Sequence, residues 1–262
     1  MNLDLSGKYA IVCGSTQGLG FASAIELALL GANVTLVARN EEKLKDAVIK
    51  LDVSKQQQHN YFVADFQFPE QVKNAVEKHL LQHPVVNILV NNTGGPKGGA
   101  AIDAATDEYL QAFNSHLICN QILVQAVLPS MKASAYGRII NIISIGVKQP
   151  VPGLGVSNTI RGAVASWSKT LANELGQFGI TVNNVLPGYT KTSRLDSLME
   201  SRSSATGRSM EDIEKDFILD IPAKRIGSAE EFGAAVAFLS TPAAAYINGI
   251  NLPVDGGRLS TL

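Results

Sequence analysis

Apolar runs of strand length alternate with amphipathic stretches of helix length along the whole chain. Strands are predicted over Tyr9–Cys13 and Val34–Ala38, with a helix over Phe21–Leu30 between them. Later strands are predicted to end at Ala64 and to cover Val85–Val90, Gly137–Ile143, Ile180–Leu186 and Asn251–Val254. Continuously apolar strands joined by helices indicate a parallel sheet that is buried on both faces. The predicted fold class is α/β: one Rossmann-type, doubly wound parallel sheet of about seven strands with helices on both faces, forming a single domain over residues 1–262.

The helices that follow the first unit are predicted to begin near Glu41 and to cover Pro69–His83, Thr106–Met131, Val156–Phe178 and Ala229–Ser240. Between Gly188 and Gly227 the pattern contains helical stretches but no strand. Long excursions at the carboxyl end of a sheet often cover a substrate. We predict such a cover at about residues 189–226, and a plain surface insertion is the alternative.

Composition and charge exclude several classes of function. Apolar residues make up 45% of the chain, charged residues 17%, and the formal net charge is −1. No basic face for a nucleic acid is expected. No apolar run is long enough to span a membrane and no targeting segment is evident, so a cytoplasmic protein is predicted. Cys13, Cys119 and the four histidines lack metal-ligand spacing, and no metal is predicted.

Three glycines follow the first predicted strand directly and lead into the first helix. They are Gly14, Gly18 and Gly20. Glycine lets the backbone turn tightly and approach a phosphate, and the free N–H groups at a helix start attract the anion. A glycine-rich turn without a ligand is the alternative, but the flanking strand and helix are those of a dinucleotide-binding unit. We therefore predict that the chain binds a dinucleotide cofactor.

The end of the second strand indicates which dinucleotide is bound. A carboxylate at this position hydrogen-bonds a free ribose 2′-hydroxyl, whereas an arginine accommodates a 2′-phosphate. The strand ends at Ala38 and is followed by Arg39 and Asn40, while Glu41 and Glu42 belong to the first turn of the next helix. Arg39 can form a charge-assisted pair with a phosphate. NADP(H) is therefore favoured over NAD(H).

Further motifs occur in a fixed order along the chain. Cys13–Gly20 has the pattern TGxxxGxG with cysteine for threonine, Asn91–Gly94 is similar to NNAG, Pro187–Thr192 fits PGxxxT, and Val254–Gly257 reads VDGG. In these motifs the chain resembles the short-chain dehydrogenase/reductase family, and within it the 3-oxoacyl-carrier-protein reductases. The resemblance implies that the cofactor is bound by Gly14, Ser15, Thr16, Gln17, Gly18, Leu19, Gly20, Asp65, Asn91, Thr93, Gly94, Pro187, Gly188 and Thr192, in addition to Arg39.

The catalytic positions depart from the pattern of the family, which uses an Asn–Ser–Tyr–Lys tetrad. Ser144 matches the serine, but Ser157 stands at the tyrosine position and Arg161 at the lysine position. The pair has i, i+4 spacing and is expected to share one helical face, as the tyrosine and lysine do. A serine hydroxyl is a far weaker proton donor than a phenol, and a guanidinium differs in shape from an ammonium group. The geometry is expected to persist while the chemistry changes.

The asparagine position of the tetrad falls on His116, and Asn114, two residues earlier, is the alternative. A histidine near the nicotinamide could supply the missing proton. A packed, hydrogen-bonded histidine in a long helix is the alternative. Lys148 and Tyr189 could also reach the site. The alternatives are a solvated loop charge for Lys148 and a wall of the substrate pocket for Tyr189. The candidate catalytic residues are therefore Ser144, Ser157, Arg161 and His116.

Two functions are compatible with these residues. The first is an NADP(H)-dependent oxidoreductase that transfers hydride between nicotinamide and a small carbonyl or alcohol substrate, with a non-standard proton donor supplied by His116, Lys148 or water. The second is a non-catalytic NADP(H)-binding sensor or complex partner. A lyase or isomerase on the same fold is a third possibility. The resemblance also implies a homotetramer or homodimer formed through Thr106–Met131 and Val156–Phe178.

Overall fold

The sheet contains seven parallel strands in the order β3-β2-β1-β4-β5-β6-β7. In this computed structural model, which describes residues 1–261, the strands are β1 Tyr9–Cys13, β2 Asn33–Ala38, β3 Asn60–Val63, β4 Ile88–Asn91, β5 Gly137–Ile142, β6 Ile180–Pro187 and β7 Asn251–Val254. The doubly wound parallel sheet predicted from the sequence is confirmed. The chain winds outward in one direction from β1 to β3 and in the other from β4 to β7, so the order reverses between β1 and β4.

Helices cover both faces of the sheet. They are α1 Gly18–Leu29, α2 Glu41–Val48, α3 Pro69–Gln82, α4 Thr106–Phe113, α5 Cys119–Ala133, α6 Gly155–Leu175, α7 Ser193–Thr206, α8 Met210–Leu219 and α9 Ala229–Leu239. One apolar core joins the sheet to α1, α2 and α9, and includes the buried Leu27, Leu44 and Phe232. A second core joins the opposite face to α3, α5 and α6, and includes Val76 and Leu123. In residues 1–261, no helix combines the length and the hydrophobicity that crossing a membrane requires.

The single long helix predicted over Thr106–Met131 is interrupted. A π-helical turn, Asn114–Ile118, separates α4 from α5. A π turn contains an additional residue within a helical repeat, which changes the direction of the side chains that follow it. The apolar periodicity predicts helix on both sides of this turn, but it does not predict the change of helical phase between α4 and α5.

The segment predicted as a cover contains α7 and α8 and no strand apart from an isolated bridge between Thr190 and Gly227. Its two helices share a small apolar cluster of their own, with the buried Leu195, Ile213 and Phe217. The side chain of Thr192 accepts a hydrogen bond from the N–H of Leu195 and so caps α7. The residues before α7 thereby come next to the carboxyl ends of the strands.

Candidate active site

A cleft of about 790 Å³ lies at the carboxyl ends of the strands, where the strand order reverses. Loops that leave opposite ways from β1 and β4 open a crevice at such a point, and ligands of α/β proteins bind there. The residues that line the cleft come from the ends of β1 to β6, from α6 and from the start of α7. This one space therefore contains most of the positions predicted to bind the cofactor and to carry the chemistry.

The glycine loop between β1 and α1 allows other atoms to approach its backbone closely. Gly14 has φ +57°, in the left-handed region that glycine adopts without cost. A Cβ on Gly14 would lie 2.6 Å from Nδ2 of Asn92, and one on Gly20 would collide with the carbonyl oxygen of Gly14. Nδ2 of Asn92 donates to the carbonyl oxygens of Cys13 and Gly14, at 3.2 and 3.1 Å. Asn92, which the sequence analysis did not single out, thus ties the loop to the end of β4.

Most of the predicted cofactor residues line the cleft, and three do not. Those that line it are Gly14, Thr16, Gln17, Gly18, Leu19, Arg39, Asp65, Thr93, Gly94, Pro187, Gly188 and Thr192. Ser15 is buried, and its Oγ accepts a hydrogen bond from the N–H of Val37 at 3.0 Å. Gly20 packs on the backbone of Gly14. Asn91 is buried and donates to Oδ1 of Asn141 at 2.9 Å. These three residues support the cleft from behind.

The end of the cleft next to β2 carries two cations. Arg39 and Lys43 both line it. Lys43 was missed because it was assigned only to a helix. Its position in the first turn of α2, just after Arg39, is the signal that could have identified it. Glu41 and Glu42 do not line the cleft and instead pair with Lys45, at 3.4 and 2.9 Å. The cations at this end therefore suit the 2′-phosphate of NADP(H).

The opposite end of the cleft holds Ser144, Ser157 and Arg161. Ser144 follows β5, and its Oγ accepts a hydrogen bond from the N–H of Gly146 at 3.0 Å. Ser157 and Arg161 lie one turn apart on α6, as their spacing predicted. Nη1 of Arg161 donates to the carbonyl oxygens of Ile142 and Ile143, at 2.6 and 3.3 Å. Burial, reinforced by the charge of Arg194, lowers the pKa of Arg161 to about 10.

His116 lies behind this end of the cleft. It belongs to the π turn, is only 4% exposed, and lines a second, much smaller cavity together with Asn91, Asn120 and Arg161. Burial, and secondarily the charge of Arg161, holds the pKa of His116 well below its usual range. The imidazole is therefore neutral near pH 7 and is not among the residues that line the main cleft. This position does not suit the direct proton donor considered from the sequence.

A row of side-chain amides, three of them buried, connects the small cavity to the sheet. Asn91, Asn141, Asn184 and Asn251 stand side by side in the register of β4 to β7. Their side chains form a continuous row, with Nδ2 of each donating to Oδ1 of the next at 2.8–3.0 Å. Within residues 1–261, Oδ1 of Asn91 and Nε of Arg161 are buried without a hydrogen-bond partner, and both residues border the small cavity. The row fixes the strand ends that carry Ser144.

Three further side chains line the cleft on the side of the cover. Tyr189 follows β6, Arg194 lies in the first turn of α7, and Arg258 follows β7. Arg258 donates from Nη2 to the Tyr189 hydroxyl at 2.8 Å. Burial raises the pKa of Tyr189, and the neighbouring Arg258 opposes that shift. Arg258 was not identified from the sequence, because it is a single arginine in a terminal segment without periodicity.

Taken together, a parallel sheet with a glycine loop at its switch point and a cleft with cations at both ends define a dinucleotide-binding α/β protein. A profile of the family described as Enoyl-(Acyl carrier protein) reductase matches residues 14–258. The chain is 33% identical to the 3-oxoacyl-[acyl-carrier-protein] reductase FabG of Rickettsia bellii over 257 residues, which is 98% of this chain and 99% of the relative. The protein is therefore an oxidoreductase of the short-chain dehydrogenase/reductase family.

Solved structures agree with this assignment. The L-sorbose reductase of Gluconobacter frateurii, crystallised with NADPH and L-sorbose, superposes with a TM-score of 0.93 at 30% identity and covers 100% of both chains. The actinorhodin polyketide ketoreductase, crystallised with NADPH, gives a TM-score of 0.90 at 30% identity, covering 97% of this chain and 98% of its own. The fold of the whole chain is thus that of NADPH-binding reductases.

Proposed function

We propose that the protein is an NADP(H)-dependent reductase that transfers hydride between nicotinamide and a small carbonyl or alcohol substrate. The observation that carries this proposal is one continuous cleft, with Arg39 and Lys43 at one end and Ser144, Ser157 and Arg161 at the other. The similar sorbose reductase and polyketide ketoreductase, both crystallised with NADPH, support it. When bound, the cofactor supplies the hydride.

The residues of the cleft fit NADP(H). The glycine loop allows a diphosphate to approach the backbone closely, because its glycines carry no side chains. A Cβ on Gly14 or Gly20 would collide with neighbouring atoms. Arg39 and Lys43 would hold the 2′-phosphate, and Asp65 would border the adenine. Thr93, Gly94 and the segment from Pro187 to Thr192 would border the nicotinamide end. The cofactor residues expected from the sequence remain part of this proposal, with Ser15, Gly20 and Asn91 in a supporting position.

Ser144 and Ser157 would hold the substrate oxygen. Both hydroxyls are at the end of the cleft, and the Arg161 cation lies one helical turn below Ser157. A fixed positive charge stabilises an oxygen that becomes negative while hydride arrives at carbon. The Ser157 hydroxyl would donate the proton and recover it from water that enters the open cleft. A weaker donor reduces the rate without abolishing turnover, since general acid catalysis contributes about 10²–10⁴-fold.

His116 has an indirect part in this scheme. The neutral imidazole is packed beside Arg161, where it adds no second positive charge. We assign it a positioning role for Arg161. The proposed proton source is thus the Ser157 hydroxyl in the cleft, in place of the donors considered from the sequence, which were His116, Lys148 and water.

A cofactor-binding sensor is the second candidate function. The observation that favours it is the orientation of Arg161, whose Nη1 is occupied by two backbone carbonyl oxygens rather than directed into the cleft. In this case NADP(H) binding would shift a conformational equilibrium and alter affinity for a partner. Dependence of hydride transfer on Ser144 separates the two functions.

The decisive experiment uses NADPH deuterated at the transferable position, a pooled library of carbonyl compounds and mass spectrometry of the products. We expect deuterium on carbon in one product class, and about a 10²-fold slower transfer with Ser144→Ala while NADPH affinity is retained. Ser166→Ala, which removes an exposed hydroxyl from α6, is the matched control and should transfer at the rate of the parent protein. Transfer that is unaffected by Ser144→Ala would refute the assigned role, and NADPH binding without any transfer would favour the sensor.

Assembly and location complete the proposal. Leu110 and Phe113 of α4 are 61% and 38% exposed, and an apolar helix face of this kind suits association between copies of the chain. A homotetramer or homodimer through α4, α5 and α6 is therefore proposed. Cys13 and Cys119 are both free and buried, which fits a cytoplasmic protein.

A further inference from the structure

Among residues 1–261, the cations at the substrate end of the cleft have no salt-bridge partner. Arg161, Arg194 and Arg258 all line it, whereas the one carboxylate in the lining, Asp65, follows β3 near the opposite end. Within residues 1–261, none of the three arginines takes part in a salt bridge. Guanidinium groups close to one another repel, and an anion that binds among them relieves the repulsion.

Arg258 is held on an aromatic platform. Its Cζ lies 3.9 Å from the ring centre of Tyr189, and that ring stacks on Phe217 with centroids 4.1 Å apart. The next residue, Leu259, packs with Ile143 and Ile145 on either side of Ser144. Arg258 is therefore fixed near the segment that carries the candidate oxygen-binding serine. Stacking immobilises the guanidinium in advance, which reduces the entropic cost of binding a ligand.

The carboxylate nearest to Arg258 in sequence is otherwise engaged. Oδ1 of Asp255 accepts from the N–H of Gly257 at 2.9 Å, and its Oδ2 accepts from the N–H of Leu259 at 2.8 Å. In the part of the chain that the structure describes, the Arg258 guanidinium donates one hydrogen bond, to the Tyr189 hydroxyl. Its remaining donors are thus available to a bidentate acceptor such as a carboxylate.

Arg194 approaches from the start of α7. Its Nη2 donates to the carbonyl oxygen of Pro96 at 2.9 Å, and a Cβ on Gly95 would lie 3.5 Å from the same nitrogen. The guanidinium therefore spans from the cover to the loop after β4. Its charge also acts on Arg161, which places the two cations in one electrostatic environment.

We propose that the substrate carries a carboxylate, which Arg258 binds and Arg194 assists, while its carbonyl oxygen lies at Ser144. The cofactor does not account for these cations, because its phosphates are assigned to the glycine loop and to Arg39 with Lys43. Apolar walls from Tyr189 and from the cover residues Leu195 and Leu198 suit a short alkyl chain. The substrate class is thus a short-chain oxo acid. This inference rests on the proposed reductase function.

The first arm of the test compares acids with their neutral esters. We would measure kcat/KM for 2-oxohexanoate and 3-oxohexanoate, each against its methyl ester, with saturating NADPH. We expect the better acid to exceed its ester by about tenfold or more, and Arg258→Met to remove that preference. Arg258→Lys should restore part of it. Arg202→Met is the matched control, because Arg202 is on the same cover segment as Arg194 but is not among the residues that line the cleft. It should keep the preference of the parent protein.

The second arm measures binding without turnover. Calorimetry in the presence of NADPH would compare hexanoate with hexanamide. We expect hexanoate to bind about tenfold more tightly, and Arg258→Met to bind the two equally. Equal binding by the parent protein, or no binding of hexanoate, would overturn the proposal, as would equal kcat/KM for acid and ester. Preferential binding of hexanoate with no reduction of any carbonyl compound would support the anion site and reject the reductase function.

Discussion

At the scale of single residues, the contacts of Arg161 bear on the catalytic positions that the resemblance to the family predicts. Arg161 keeps the helical position expected of the lysine, but its longer, forked side chain reaches the carbonyl oxygens at the end of β5. Both bonds are made by Nη1, so the reach of the arginine side chain determines these contacts. The i, i+4 relation of Ser157 and Arg161 could be predicted from spacing. The direction of the guanidinium could not, because it depends on where β5 ends beside α6.

Lys43 provides a test at this scale. Lys43→Ala should raise the Kd of NADPH about tenfold and leave the Kd of NADH unchanged, because the ammonium group is expected to pair only with the 2′-phosphate. Lys45→Ala is the control, since Lys45 is on the same helix but pairs with Glu41 and Glu42 outside the cleft. Fluorescence titration with both coenzymes measures the effect. An equal loss for NADPH and NADH would contradict this assignment.

At the scale of elements, the doubly wound parallel sheet followed from the apolar pattern and the glycine loop from its place after β1, whereas the π turn could not be predicted. Residues 114–118 contain neither proline nor glycine, so nothing in the pattern marks a change of helical phase. That change places His116 in a closed cavity behind Arg161 instead of in the cleft. The row of four asparagines also could not be predicted from the sequence, because it forms only when β4 to β7 are aligned in register.

The junction of β1 with α1 is tested by two glycine substitutions. Gly20→Ala should raise the Kd of NADPH more than about tenfold, because its Cβ would displace the carbonyl oxygen of Gly14 and the Asn92 amide. Gly162→Ala, at a position on α6 with no heavy atom within 4 Å of the new Cβ, should leave the Kd unchanged and stabilise the protein by about 0.5–1 kcal/mol. Titrations on protein shown by circular dichroism to be folded give both values. If Gly20→Ala bound NADPH with the affinity of the parent protein, the close packing of Gly20 on Gly14 would be contradicted.

At the scale of the whole molecule, the substrate end is assembled from parts that are distant in sequence. The loop after β4, the end of β5, the cover and the segment after β7 each contribute to one cleft. The motifs could be identified individually because each is local. The position of Arg258 in this cleft could not be predicted, since the segment after β7 has no periodic pattern. The packing of Leu259 and the stacking of Arg258 on Tyr189 hold it there, and both contacts exist only in the folded chain.

The packing of the two cores also determines how the molecule responds to acid. His79 is buried on α3 between the rings of Phe62 and His83, and burial, with a smaller effect from the charge of His83, lowers its pKa to about 4. In the unfolded chain the pKa returns to about 6.5, so the unfolded state binds the proton first as the pH falls. The contribution of His79 to stability is therefore complete above about pH 6.5 and is lost progressively down to about pH 4. At pH 5 the loss from His79 is about 2 kcal/mol. The buried His116 changes stability in the same direction.

Urea denaturation at pH 8 and pH 5, at equal protein concentration, measures this loss. We expect His79→Gln to be less stable than the parent protein at pH 8, because it disrupts ring packing, but to lose about 2 kcal/mol less between the two pH values. His83→Gln, which removes an exposed ring, should retain most of the loss seen in the parent protein. The sign of this difference tests the assignment. Because a neutral imidazole is buried, the free energy of unfolding must fall on acidification. Removal of the buried ring should reduce that fall. An identical loss in the parent protein and in His79→Gln would show that other groups determine the acid sensitivity of the fold.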